Sequence, residues 1–315
     1  MDTLSTGSDY ARTIHSVYVM VNWIDLVILL IVVVTMFMAI FWFSTRVGEP
    51  GEPSLVSSDL RLEVAWTAIP ALILVFIAVP TVRAIWRTQP DKWPAKAVTI
   101  KVIAHQWWWE FQYPKLDIKT ANELHIPVNR EVHFELVSGD VIHSFWIPAM
   151  GGKRDVIPGQ VNELTFTPHE TGEFYGQCVE FCGTSHANMR LRAFVDTKEG
   201  FDQWVKQQKT PPVSPASGPA ANGARIFADS PCAICHTVKG VSGFSKEYHG
   251  RFDGPDLTHF GSRVTLAAGM ASNTPQNLAR FIQTPDKVKP GARMPTLGLH
   301  GKDLDDLVAY LESLK

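Results

Sequence analysis

Two uncharged apolar runs set the first third of the chain apart from the rest. Residues 26–43 carry no charge over 18 positions and residues 64–82 none over 19, and a run of 18 spans about 27 Å as a helix. The pattern predicts an N-terminal transmembrane hairpin over 1–90, with helices over about 24–43 and 64–86. Pro70 and Pro80 fall in the second run. Prolines are tolerated in a spanning helix when neighbours satisfy the freed carbonyls, so partner helices are expected. Trp23, Trp42, Trp66 and Trp86 stand near the ends, where interfacial anchors belong. The plain alternative is a pair of buried core helices. The first twenty residues lack a basic start followed by an apolar block, so the first helix is expected to act as an uncleaved signal.

Beyond the hairpin the period shortens to two. Stretches such as AVTIKVIAHQWWWEFQY and NELTFTPHETGEFYGQC alternate apolar and polar positions, with Gly, Pro and Asn between them. An antiparallel β-sandwich or barrel is predicted over 91–205. Residues 206–222 are rich in Pro, Ala and Ser without apolar period, which reads as a semi-rigid linker. From 223 to 315 the pattern is helical. TPQNLARFIQ opens with a Thr cap and Pro at the first helical position, and KDLDDLVAYLESL closes the chain as an amphipathic helix.

The chain has 315 residues and a formal net charge of −2, so nothing points to nucleic acid. Phosphate-binding glycine loops, a nucleophile elbow and HExxH are missing. The charge is unevenly divided: residues 91–200 hold 11 Lys and Arg against 14 Asp and Glu, and residues 219–315 hold 11 against 9. Opposite signs on two tethered domains predict weak, transient docking, because a short linker already supplies a millimolar effective concentration.

The four cysteines form two pairs, Cys178 with Cys182 and Cys232 with Cys235. In GQCVEFCGTSHANM, residues 176–189, Cys178, Cys182, His186 and Met189 follow at intervals of four, four and three. A disulfide is the bland alternative, but the bulky Glu180 and Phe181 make a tight loop awkward. Zinc has no use for a thioether. Thiolate, imidazole and thioether together suit copper, and two cysteines invite two metal ions with bridging thiolates. A second imidazole must come from His105, His125, His133 or His143. His143, in DVIHSFWIP, follows a strand and is favoured on that pattern. CAICH, residues 232–236, is the C-x-x-C-H haem-attachment signature, in which Cys232 and Cys235 form thioethers and His236 ligates iron. The second iron ligand lies among Met270, Met294, His249, His259 and His300. Met294 is preferred: it sits in the loop KPGARMPTLG, 58 residues after His236, and a thioether suits a high-potential carrier. Met270 adjoins a helix start and is expected in the core.

HSFWIP followed by GQCVEFCGTSHANM, after a membrane hairpin and HQWWWEFQY, resembles the CuA domain of subunit II of haem-copper cytochrome oxidases, over about residues 15–200. Residues 219–315 resemble a class I cytochrome c, and the combination resembles subunit II of caa3-type oxidases. The resemblance implies a multidomain membrane protein: a two-helix transmembrane hairpin, a β-sandwich (cupredoxin-like) CuA domain and an all-α cytochrome c domain. It implies dinuclear copper CuA, with Cys178 and Cys182 bridging, His143 and His186 terminal and Met189 as a weak thioether. The carbonyl of Glu180 completes the second copper, and its side chain reaches a magnesium ion (Mg) at the subunit I boundary. Trp107 aligns with a surface tryptophan where electrons enter, and Trp108 stands where the family has tyrosine. Trp108 and Trp109 otherwise read as a Trp-rich core edge. Glu63 aligns with a glutamate at the mouth of a proton channel shared with subunit I. In the cytochrome domain Pro255 packs on the haem ligand and Arg263 reaches a propionate.

The implied function is electron transfer from a donor through covalently bound haem c and CuA to haem a of subunit I, where oxygen is reduced with proton pumping. The implied partners are oxidase subunit I, with haem a and CuB, other oxidase subunits, and cytochrome c or another periplasmic donor, with a respiratory supercomplex as an extension. The implied place is the bacterial inner membrane, with both cofactor domains on the periplasmic or outer side. Two rival readings are the CuA subunit of a nitric oxide reductase and a non-respiratory copper-delivery protein, the second of which has no need of a covalent haem.

Overall fold

The alternation along VTIKVIAH becomes strand β1 (Val98–His105), in which buried and half-buried side chains take turns. The structure, a computed structural model, describes residues 3–42, 59–89, 96–240 and 254–315. It separates residues 12–90 from a larger unit holding the rest of the chain. In that larger unit β1 is joined by β2 (Trp108–Tyr113), β3 (Ile118–Ala121), β4 (Glu123–Pro127), β5 (Val132–Ser138), β6 (His143–Trp146), β7 (Arg154–Val156), β8 (Asn162–Phe166), β9 (Gly172–Cys178) and β10 (Arg190–Asp196). They form two five-stranded sheets, ordered β3-β2-β1-β5-β8 and β4-β10-β9-β6-β7. Pairing is mostly antiparallel, with parallel joins at β1–β5 and β4–β10. Ile100, Phe111, Phe134 and Leu136 from the first sheet meet Leu124, Phe145 and Leu191 from the second in one apolar core. This is a sandwich, as the period-two pattern predicts, and a cupredoxin-like one, as the resemblance implies; the two parallel joins depart from the antiparallel expectation.

Helix α1 (Asp9–Trp42) starts well before the predicted residue 24. Ser8 Oγ accepts the Ala11 amide at 3.1 Å, and Tyr10 and Ala11 are buried. The Tyr10 ring lies on Gly151, where a Cβ would come within 2.5 Å of it. Packing on the sandwich therefore extends the helix beyond its apolar run. Helix α2 (Leu60–Thr88) contains Pro70 and Pro80 and is capped by Asp59, whose carboxylate accepts the Arg61 amide at 2.9 Å. Both helices are long and apolar enough to cross a membrane, and neither buries its apolar stretch within the chain. That removes the core-helix alternative.

Helix α3 (Lys198–Lys209) reaches into the expected linker, packing Phe201, Trp204 and Val205 on the sandwich core. Helix α4 (Gly218–Asp229) begins before the linker's expected end. The irregular stretch is thus only 210–217, where Pro211, Pro212 and Pro215 oppose helix. The C-terminal domain continues with α5 (Cys232–Cys235), the short strands β11 (Thr265–Leu266) and β12 (Ala271–Ser272), then α6 (Pro275–Gln283), α7 (Pro285–Val288) and α8 (Gly301–Ser313). The β11–β12 hairpin is an addition to the all-α expectation. Met270 stands half-buried at its turn, its amide on the Leu266 carbonyl, and not in the core as expected. The hairpin turn replaces the helix start that the sequence position indicates.

α4 crosses α8 at Gly223, where a Cβ would lie 2.0 Å from the Asp306 carbonyl oxygen. Asn222 donates to the Asp306 carboxylate at 3.3 Å beside this crossing. Gly223→Ala should therefore force the helices apart and destabilise the C-terminal domain by about 3 kcal/mol. Calorimetry of the full chain should show that domain's transition lowered and the sandwich transition in place; an unchanged profile contradicts the close crossing.

Candidate metal centre

The centre is built where two adjacent strands end. β9 finishes at Cys178, and β6, paired with it through Phe145 and Cys178, starts at His143. The chain then loops through residues 179–189, makes a short turn at His186–Asn188, and returns as β10. The Cys178 amide donates to the Met189 carbonyl at 2.9 Å, which closes the loop at its base. Five side chains converge. Cys178 and Cys182 Sγ are 3.7 Å apart, His143 Nδ1 is 3.8 Å from Cys178 Sγ, and His186 Nδ1 is 3.5 Å from Cys182 Sγ. Met189 Sδ lies 3.9 Å from Cys182 Sγ, and the Glu180 carbonyl oxygen 3.2 Å from Cys178 Sγ. The donor atoms of His143, Cys178 and Cys182 all lie within 4.8 Å of one another. Both cysteines are free thiols.

His143 and Met189 are fully buried and the cysteines nearly so. In that dry setting the two sulfurs compete for one proton. The hydrogen bond from Cys182, helped by His143, pushes the Cys178 thiol down to about 4, and the same contact pushes Cys182 up. Burial disfavours the His143 imidazolium, but the Asp140 carboxylate, 2.7 Å from Nε2, and Cys178 outweigh it and hold His143 above its usual range. Two buried sulfurs this close become a bridging pair when cations take the place of their protons. The set of two thiolates, two imidazoles and a thioether fits copper. The Asp140 contact fixes which ring nitrogen of His143 faces the sulfurs.

The Cys182 carbonyl accepts two further bonds, from Gln106 Nε2 at 2.6 Å and Trp107 Nε1 at 2.9 Å. Trp107 is not on the surface, as the resemblance implies, but only 9% exposed. The C-terminal domain covers it. Lys289 Nζ donates to the Trp107 carbonyl, Arg293 donates to Gln106 Oε1, and the Arg293 guanidinium lies 5.7 Å from the centre of a Trp107 ring. Burial pushes Lys289 down to about 7, with the Cys182 side acting in the opposite direction. The same interface contains Glu123, whose carboxylate accepts the Thr265 amide and hydroxyl at 2.8 Å each. His259 Nε2 donates to the Thr210 carbonyl at 2.9 Å. Trp109 is a core residue, whereas Trp108 stacks on His105 at 4.3 Å and clusters with Ala121 and Ala268 of the C-terminal hairpin. Trp108 is thus an interface residue.

The Glu180 side chain is exposed, and no ion pair holds it among the described residues. Glu63 belongs to the hairpin unit, half-buried in the first turn of α2 with its amide on the Asp59 carbonyl.

A second centre forms at α5. Cys232 and Cys235 are half-buried, and His236 Nδ1 donates to the Pro255 carbonyl at 2.9 Å. Pro255 thus meets the histidine through its carbonyl. A Cβ at Gly254 would be 2.7 Å from His236 Cε1, so the ring is gripped on that side as well. Arg263 donates to the Asp256 carbonyl, while its Nε is buried without a partner among the described residues. Such a donor suits a buried anion, as a haem propionate is. Met294 is half-buried against the domain core. His259 and exposed His300 are held by the Thr210 and Gly298 carbonyls, and His249 lies outside the described residues.

The family profile for cytochrome c oxidase subunit II, transmembrane domain, matches residues 6–84; its periplasmic-domain counterpart matches 115–193, and a cytochrome c profile matches 220–315. Cytochrome c oxidase subunit 2 of Alkalihalophilus pseudofirmus is 35% identical over 305 residues, which cover 93% of this chain and 86% of the relative. The chain belongs to the cytochrome c oxidase subunit 2 family. The subunit 2 of Bacillus sp. strain PS3 is 36% identical, with 87% of this chain and 80% of the relative covered. A crystal structure of the periplasmic domain of subunit II (CoxB) of Bradyrhizobium japonicum matches with 36% identity and a TM-score of 0.36, covering 37% of this chain and 96% of that one. As a cytochrome c oxidase subunit 2 with a cytochrome c domain, the chain is part of an oxidoreductase complex, a membrane protein with a periplasmic domain, and the family implies copper and haem c.

Asp140, Gln106, Lys289 and Arg293 escaped the sequence reading. Asp140, three residues before a candidate imidazole, is a signal that could have been read; the other three touch the site only through the tertiary fold. Asp140→Ala should weaken copper binding by about 10- to 100-fold, as loss of a ligand's hydrogen-bonded partner does. Competition with a chelator measures this. Unchanged affinity contradicts the proposed orientation of His143.

Proposed function

We propose that this subunit takes electrons from a donor at its C-terminal domain and hands them through its sandwich domain to oxidase subunit I, where oxygen is reduced to water with proton pumping. The observation that carries the reading is the Cys178–Cys182 pair, 3.7 Å apart and ringed by His143, His186, Met189 and the Glu180 carbonyl, in a chain that also bears C-x-x-C-H. These six residues would hold dinuclear copper CuA. Cys232 and Cys235 would tether haem c, His236 and Met294 would hold its iron, and Arg263 would meet a propionate. When bound, both groups supply reversible one-electron carriers and no bond chemistry.

The chain's own residues do the rest. The sandwich excludes water and fixes the sulfurs, so little has to move when charge changes. Pro255 and Gly254 hold the His236 ring on one side. Trp107, bonded to the Cys182 carbonyl and covered by the C-terminal domain, is the bridge between the two centres. Because that tryptophan is covered, the donor, a cytochrome c or another periplasmic carrier, alone or within a supercomplex, meets the C-terminal domain. The exposed carboxylate of Glu180 would hold Mg at the boundary with subunit I, and Glu63 would serve the mouth of a proton channel shared with it. The apolar runs contain no histidine to hold haem a or CuB, in keeping with oxygen chemistry in subunit I. The domains face the outside of a bacterial inner membrane, where haem c is attached.

Two measurements test the reading. The purified chain should hold two copper ions and one haem with a mixed-valence electronic signature, and Cys182→Ser should abolish that signature. A Cys182→Ser variant that keeps it overturns the bridging assignment. Met294→Ala should leave the haem attached but let carbon monoxide bind the reduced iron; if Met270→Ala does this and Met294→Ala does not, the axial ligand lies in the other loop.

A further inference from the structure

The copper stretch and the C-terminal domain meet through a short chain of hydrogen bonds with a defined end. The Cys182 carbonyl is bonded by Gln106 Nε2 and Trp107 Nε1 at 2.6 and 2.9 Å. Both donors are themselves held from the C-terminal domain. Arg293 grips the other end of the Gln106 amide at Oε1 and lies over the Trp107 ring, while Lys289 grips the Trp107 carbonyl. Lys289 is 6% exposed, so it is committed to this contact. Between these two side chains the chain turns at Gly291, where a Cβ would sit 3.0 Å from Thr184, two residues beyond Cys182. Arg293 directly precedes Met294. One segment, 289–294, therefore bears the candidate iron ligand and also clamps the backbone of a candidate bridging cysteine.

We propose that Lys289 and Arg293 are positioning residues: they hold Trp107 and Gln106 in the pose that sets two N–H donors on the Cys182 carbonyl, so that docking of the C-terminal domain is felt at the copper centre. This rests on the copper reading above. The physical argument concerns charge and orientation. An N–H aimed at the carbonyl of a ligating residue fixes that peptide plane and withdraws electron density from it, and ligand orientation sets the electronics of the metal. A primary amide flips at little cost when only one end is held. With Arg293 on Oε1, the Gln106 amide nitrogen must face Cys182. Lys289 does the corresponding work for Trp107 by anchoring its backbone while the indole reaches across. Losing the clamp frees both donors without removing any ligand.

The test uses the full-length chain in its oxidase complex. Three quantities are read: copper per chain, the mixed-valence signature (its paramagnetic hyperfine pattern and near-infrared band), and the rate of haem-to-copper transfer after flash reduction. Lys289→Met with Arg293→Met should keep both coppers, shift the signature, and slow transfer about tenfold or more, since small misplacements are costly. Lys289→Arg should restore part of the shift where loss of bulk alone would not. A double variant with full copper and an unchanged signature and rate overturns the proposal. Gln106→Met provides an independent arm, because it removes the donor that Arg293 orients. Arg293→Met added to Gln106→Met should bring a smaller spectral change than Arg293→Met alone, since only its contact with the Trp107 ring is then left to lose, and fully additive shifts also overturn the proposal. If the unaltered protein lacks a mixed-valence signature, it is the copper reading itself that fails.

Discussion

The copper stretch of the sandwich domain answers to one constraint: two cysteine sulfurs 3.7 Å apart, both nearly buried. Left alone, a second negative charge there is prohibitive, since a buried ion needs a counter-ion or it neutralises. Cations resolve the conflict, and the surroundings are arranged for them. One sulfur ends a strand and is set by the sheet. The other sits on a loop, tied down at its base by Met189 and from the side by Gln106 and Trp107. His143 arrives on the neighbouring strand already oriented by Asp140. The loop joins two paired strands of one sheet, β9 and β10, and a loop held by such a scaffold can keep this geometry.

The donor set was legible because most of it is local. Cys178, Cys182, His186 and Met189 fall within twelve residues, and C-x-x-C-H within five, so spacing alone carries the chemistry. The alternation of 98–105 gave the strands, and the uncharged runs gave the hairpin. Other features depend on distant partners and leave no local trace. α1 begins early because Tyr10 packs on Gly151. The linker is short because α3 finds apolar support on the sandwich. Trp107 is covered because a loop 182 residues downstream places Lys289 on its carbonyl. Met270 looked like core from its place beside a helix start, but the chain makes a hairpin there.

The relation between the two cofactor domains shows the limit of reading charge from sequence. Net signs of opposite kind suggest weak attraction between exposed faces. The contact is of another kind. Glu123 and Lys289 are buried in it, Trp108 packs on Ala268, and Thr210, at the start of the irregular stretch, is held by His259. Buried hydrogen bonds and apolar contact persist at salt concentrations that screen exposed charges beyond about 8 Å. On this account the C-terminal domain stays seated on the copper face and presents a different face to its donor.

The measurement that tests this most directly is the rate of electron transfer from haem to copper in the intact chain, followed after flash photoreduction from low to high ionic strength. The account predicts a single fast phase whose rate does not change over that range. A rate that falls steeply with added salt would contradict it, because the domain would then be docking from solution through exposed charge.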